Sequence, residues 1–96
     1  MSKPLTPSEL EAALAALGEW SLDQGKLHRR FEFDDFIAAF SFMSQVAILA
    51  ERADHHPEWW NVYNKVDVWL TTHDSGGITE KDLALARAVD ARDCLG

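Results

Sequence analysis

The sequence predicts an α+β fold: a four-stranded antiparallel sheet with three helices on one face, in the order α-β-β-α-β-β-α. Three observations predict it. Thr6-Pro7-Ser8-Glu9 and Thr79-Glu80-Lys81-Asp82 are helix-start signals, each followed by apolar residues at helical spacing. The long apolar stretch after Asp34-Asp35 has the same period. The segments between these runs alternate apolar and polar residues and contain tight-turn residues.

In chain order, Thr6 is placed to cap, Pro7 suits the first helical position, and Glu9 completes a capping box. Leu10, Ala13, Leu14 and Leu17 give the buried side, and Gly18 suits the stop. A short strand at Trp20-Ser21-Leu22 and a turn at Asp23-Gln24-Gly25 follow. The next strand sets Leu27, Arg29, Phe31 and Phe33 on one face and His28, Arg30 and Glu32 on the other. Arg29 interrupts the apolar face, which puts it at the sheet's margin or on a ligand. The second helix starts at Asp34 or Asp35, where carboxylates favour the helix dipole, and runs to about Ala53. It carries two stripes: Phe36, Phe40, Met43, Ala47 and Ala50, and Phe42, Val46 and Leu49. One small sheet needs only one of them. The other must meet a neighbouring helix or a second copy of the chain.

Trp60-Asn61-Val62-Tyr63 and Val66 to Thr72 read as a hairpin turning at Asn64-Lys65. Val66, Val68 and Leu70 alternate there with Asp67, Trp69 and Thr71. After the loop Asp74-Ser75-Gly76-Gly77, Thr79 caps the third helix with Asp82 in the capping-box position. Leu85, Ala86 and Val89 are its buried face, and the helix fades near Arg92.

Ninety-six residues make one domain. Apolar residues are 47% and charged residues 26%, the balance of a soluble globular protein. A net charge of -7 argues against nucleic acid and anionic membranes as direct partners. The single cysteine, Cys94, cannot form an internal disulfide, which suits a reducing cytoplasm. The start M-S-K-P-L-T-P has no apolar signal core, and no apolar run suggests a membrane span.

Of four histidines, His55, His56 and His73 lie in one stretch, while His28 stands apart as an ordinary polar residue. Three readings apply to the stretch. The rings can be polar residues without chemistry. With Glu51, Asp54 and Asp74 nearby they offer metal-ligand types, but adjacent residues rarely aim both rings at one ion. No H-x-x-x-H or C-x-x-C spacing is present. The third reading, metal-free acid/base catalysis, is favoured, because imidazoles in different surroundings can give and take protons near neutral pH. Glu51, four residues before His55, is placed to steer a ring if the helix reaches that far. Pro57 fixes the loop's direction. Trp59 and Trp60 face opposite ways if extended, one toward the core and one toward a pocket. Asp82 is a capping residue first and a site residue second.

The order Glu51, His55-His56-Pro57, Tyr63, His73, Asp82 resembles the signature of the pterin-4a-carbinolamine dehydratases. W-W-N-V-Y-N-K-V, L-T-T-H, F-D-D-F-I-A-A-F-S-F-M and G-E-W extend the likeness from about Leu10 to Val89. The resemblance implies an α+β dimer or tetramer that dehydrates 4a-hydroxytetrahydropterin to quinonoid dihydropterin. The pterin is the substrate, so no cofactor or metal is implied. The functional link is to an aromatic amino acid hydroxylase. Animal members also bind a homeodomain transcription factor, so the rival expectation is a non-enzymatic dimerisation module. By resemblance, Asp54, His55 and His56 contact the substrate from one side, and Thr71, Thr72, His73 and Asp74 line the other. Glu51 steers a histidine and Trp59 offers an apolar wall. His55 and His73 exchange protons with the hydroxyl and ring, and His56 orients the pterin.

Overall fold

This computed structural model describes residues 3–92, and Cys94 lies outside them. The elements are α1 (Pro7–Leu17), β1 (Ser21–Asp23), β2 (Lys26–Glu32), α2 (Phe36–Ala53), β3 (Glu58–Val62), β4 (Lys65–Leu70) and α3 (Glu80–Ala91), with a 3₁₀ turn at His73–Ser75 before α3. The strands are antiparallel in the order β1-β2-β4-β3, so the hairpin β3–β4 inserts its second strand beside β2. The observed element order matches the sequence expectation.

Local chemistry sets the helix ends. The Thr6 hydroxyl accepts from the Glu9 amide at 3.2 Å, and the Glu9 carboxylate accepts from the Thr6 amide at 2.8 Å. Gly18 closes α1 at φ 74, a conformation costly for a side chain. Asp35 caps α2 through the Ala38 amide at 2.8 Å. Thr79 and Asp82 form the second capping box, at the start of α3.

One face of the sheet and all three helices build the core. Leu27, Phe31, Val66, Val68 and Leu70 meet Ala39, Phe42, Val46 and Leu49 of α2 and Leu83, Leu85, Ala86 and Val89 of α3, with Leu10, Leu14 and Leu17 of α1 at its edge. The buried stripe of α2 is therefore Phe42, Val46 and Leu49. The other stripe is split: Phe36, Phe40 and Ala47 are exposed, together with Ile37 and Ile48, while Met43 packs against the core and Ala50 is buried. By length and composition α2 is apolar enough to cross a membrane, which the sequence reading did not allow for. It is apolar on two sides, and one of them is spent on the core.

Two expectations need correction. Arg29 does not sit at the sheet's margin, because β2 lies between β1 and β4. It lies on the core face, donates to Asp90 of α3 at 2.8 Å and stands 4.4 Å from the Phe31 ring centre, so its charge is balanced where the core ends. The β3–β4 turn is at Tyr63-Asn64, one residue earlier than expected. Tyr63 takes φ 49, and the Asn61 amide holds the turn by donating to the Tyr63 and Lys65 carbonyls.

The other face of the sheet is a polar and aromatic layer. His28 and Arg30 of β2 converge on Asp67 of β4, with Trp69 and the exposed Trp60 beside them. Burial alone would raise the Asp67 carboxyl, but hydrogen bonds from Arg30 and His28 prevail and hold it below the usual range. The same contact raises the Arg30 guanidinium.

Candidate active site

The site is assembled where α2 stops, β4 ends and α3 begins. Helix α2 terminates because Asp54 adopts a left-handed conformation, φ 50 and ψ 42. Aspartate tolerates that region better than most side chains. The His55 amide then bonds back to the Ala50 carbonyl at 3.1 Å, and the chain leaves the helix axis. This turn separates the two neighbouring rings: His55 is drawn inward beneath α3, and His56 stays at the surface. On the opposite wall β4 runs out at Leu70, and Thr71, Thr72 and the 3₁₀ turn carry His73 and Asp74.

A hollow of about 340 Å³ lies between these walls, lined by Asp54, His55, His56, Thr71, Thr72, His73, Asp74 and Lys81. The two segments therefore border one hollow. A larger hollow of about 500 Å³ lies on the open face of the sheet, but His28 is its single histidine. The smaller one is the candidate site, because His55, His56 and His73 all line it.

Each site histidine has a carboxylate at its Nε2. His55 lies 2.5 Å from Asp82 Oδ1, His56 lies 2.8 Å from Glu51 Oε1, and His73 lies 2.8 Å from Glu58 Oε2. A carboxylate accepts, so it favours the tautomer with a proton on Nε2 and leaves Nδ1 to take or give a proton. The pairs differ in shelter. Asp82 is fully buried, Glu58 is 39% exposed and Glu51 is 83% exposed. Only the first is well shielded from water.

Asp82 anchors a buried network. Its Oδ2 accepts from the Thr72 hydroxyl at 2.8 Å and the Thr79 amide at 2.9 Å. The Thr72 and Thr79 hydroxyls are 2.8 Å apart. Thr72 has one hydroxyl proton and gives it to Asp82, so Thr79 must donate to Thr72. The Thr79 oxygen in turn accepts from the Lys81 amide at 3.2 Å. One carboxylate thus caps α3, ties the end of β4 to that cap and fixes the His55 ring.

Several expected roles change in detail. Glu51 pairs with His56 rather than His55, because the left-handed Asp54 breaks the helical spacing. Asp82 takes the part expected of Glu51. Thr72 lines the hollow, but its hydroxyl is committed to Asp82. Trp59 packs against the core and borders a neighbouring groove instead of the hollow. Pro57, expected only to direct the loop, lies just before β3 and outside the lining. Asp54 and Asp74 both line the hollow and are exposed.

Sequence reasoning missed Glu58 and Lys81. Glu58 directly follows His55-His56-Pro57, and its carboxyl is held below the usual range chiefly by a hydrogen bond from Lys26 at 2.6 Å. Its position beside the histidines was an available signal. Lys81 lies inside the second capping signal, next to Asp82, which could have marked it. Among the described residues no group of three or more His, Cys, Asp or Glu side chains has the arrangement of a metal site.

A family model described as pterin 4 alpha carbinolamine dehydratase matches residues 3–92. A relative from Rhizorhabdus wittichii, provisionally named pterin-4-alpha-carbinolamine dehydratase, is 53% identical over 91 residues, covering 93% of this chain and 94% of its own. One from Solibacter usitatus with the same provisional name is 52% identical, covering 95% and 96%. A crystal structure from Brucella melitensis, described as a transcriptional coactivator/pterin dehydratase, superposes with a TM-score of 0.89 at 49% identity, covering 94% of this chain and 98% of that one. A pterin dehydratase-like protein described as a RuBisCO assembly factor in the alpha-carboxysome superposes at 0.62 with 26% identity, covering 76% and 84%. Signature residues, fold and relatives agree, and the chain belongs to the pterin 4 alpha carbinolamine dehydratase family.

Proposed function

We propose that this protein dehydrates 4a-hydroxytetrahydropterin to quinonoid dihydropterin and water. The observation that carries this reading is the convergence of three imidazoles, each backed by a carboxylate, on one hollow. The reaction breaks the bond from C4a to the hydroxyl oxygen and removes the proton from N5. It needs a donor to the leaving oxygen and an acceptor for the ring proton. His55 and His73 stand on opposite walls and fill these two roles, while His56 binds and orients the pterin. Asp54, Thr71 and Asp74 contribute polar edges for the heterocycle. Each acting imidazole supplies about 10²–10⁴-fold. The pterin itself is the substrate, and the proposed chemistry proceeds by proton transfer with no cofactor.

The reaction fits a cytoplasmic pterin-recycling role beside an aromatic amino acid hydroxylase. The exposed Phe36, Ile37, Phe40 and Ile48 on α2 supply a surface for a homodimer or homotetramer.

A second reading is favoured by the descriptions of the neighbours, which include a coactivator and an assembly factor. In it the domain is a non-enzymatic binding module that retains the pocket. Stopped-flow decay of the carbinolamine separates the two. Acceleration by the pure protein, lost in His55→Ala and His73→Ala, supports the dehydratase. No acceleration by wild type leaves the module.

A further inference from the structure

We infer that Glu58 is a positioning residue for His73, and that Lys26 holds it in that role. The inference rests on the dehydratase reading and assigns a residue outside the family signature quoted above. Glu58 opens β3, Lys26 opens β2, and both strands flank β4. Glu58 lies opposite Trp69, and Lys26 is one residue before Leu27, the partner of Leu70. The two therefore reach across one end of β4 on the open face. Lys26 Nζ lies 2.6 Å from Glu58 Oε1, and His73 Nε2 lies 2.8 Å from Glu58 Oε2. One carboxylate thus divides its two oxygens between a fixed cation and a site imidazole.

The arrangement answers a structural need. His73 follows the end of β4, sits in a three-residue turn and is 73% exposed. A ring on so short a turn has many rotamers open to it. Glu58 is on a strand and is restrained by Lys26, so it supplies the fixed point that the turn lacks. It holds Nε2 and leaves Nδ1 for the hollow. Without Lys26, Glu58 would be a solvated side chain at the margin of an edge strand, free to turn away. Because Glu58 directly follows His55-His56-Pro57, the same side chain also ties the two histidine segments together.

The test combines kinetics with nitrogen NMR of the imidazoles. Glu58→Gln should lower kcat by about 5-fold with KM little changed, the scale expected for a partly exposed charged contact. Lys26→Met should cause a smaller loss, and Lys26→Arg should restore it. Glu58→Gln combined with His73→Gln should be no slower than His73→Gln alone, since Glu58 acts through that ring. Independently of turnover, Glu58→Gln should shift the ring-nitrogen signals of His73 and leave those of His55 in place. Additive rate losses, or unmoved His73 signals in a folded Glu58→Gln protein, would overturn the inference. If wild type fails to accelerate the reaction, the functional reading falls, and the NMR arm alone decides whether Glu58 positions His73.

Discussion

Among the described residues, two aspartate–histidine pairs have similar contacts and different surroundings. His55 meets Asp82 at 2.5 Å and His28 meets Asp67 at 2.7 Å, and both carboxylates are buried. Asp82 draws its other hydrogen bonds from neutral groups, the Thr72 hydroxyl and the Thr79 amide. Asp67 is bound by the permanent cation Arg30 through Nε and Nη2. His28 packs at a tilt against Trp69, with ring centres 4.9 Å apart, and is the single histidine on the larger hollow, whereas His55 opens onto a hollow shared with His56 and His73. An imidazole beside a carboxylate is therefore not enough to define a site. Both pairs border a hollow, and in the proposed reaction the first serves proton transfer because two further imidazoles line the hollow it opens onto. The second is balanced internally and knits β2 to β4.

The comparison is sharpened most by Asp82→Asn. Loss of the carboxylate frees the His55 ring to take either tautomer, and turnover should fall about 10- to 100-fold. The same change weakens the α3 cap, so thermal unfolding must be measured beside the stopped-flow rate. His55→Gln should slow the reaction at least as much while sparing the cap.

Asp67→Asn should do the reverse. Turnover should stay within about 2-fold of wild type, while stability falls by about 1–3 kcal/mol through loss of charge-assisted hydrogen bonds. Its pH dependence is a second signature. The folded carboxyl titrates below its ordinary value, so its stabilising contribution is present above about pH 4 and is lost as pH falls through the folded value. Denaturant titrations from pH 6 down to pH 2 should therefore show a shallower acid loss in Asp67→Asn than in wild type.

The smallest effect belongs to Glu51→Gln. Its pair with His56 is largely solvated, so the rate should change by less than about 3-fold, chiefly through KM. A loss as large as that of Asp82→Asn would erase the ranking by burial.

Local features of the fold were legible in the sequence. Thr6 with Glu9 and Thr79 with Asp82 signal helix starts over a span of three residues, and the structure shows both boxes. The gathering of His55, His56 and His73 was also legible, through the signature spacing. Partner choice was not. Glu51 is the carboxylate one helical turn before His55, yet a single left-handed residue, Asp54, passes that ring to Asp82, 27 positions away. Nor could periodicity alone say which stripe of α2 faces the sheet, because Phe36–Phe40 and Phe42–Val46 are equally regular. The answer depends on the angle at which the helix lies, which is set by tertiary packing.

The account is tested most directly by single-turnover decay of the carbinolamine with wild type, Asp82→Asn and Asp67→Asn side by side. The prediction is acceleration by wild type, loss of most of it in Asp82→Asn, and its retention in a less stable Asp67→Asn. Equal slowing of both variants, or no acceleration by wild type, would contradict the claim that the shared hollow makes one aspartate–histidine pair catalytic and leaves the other structural.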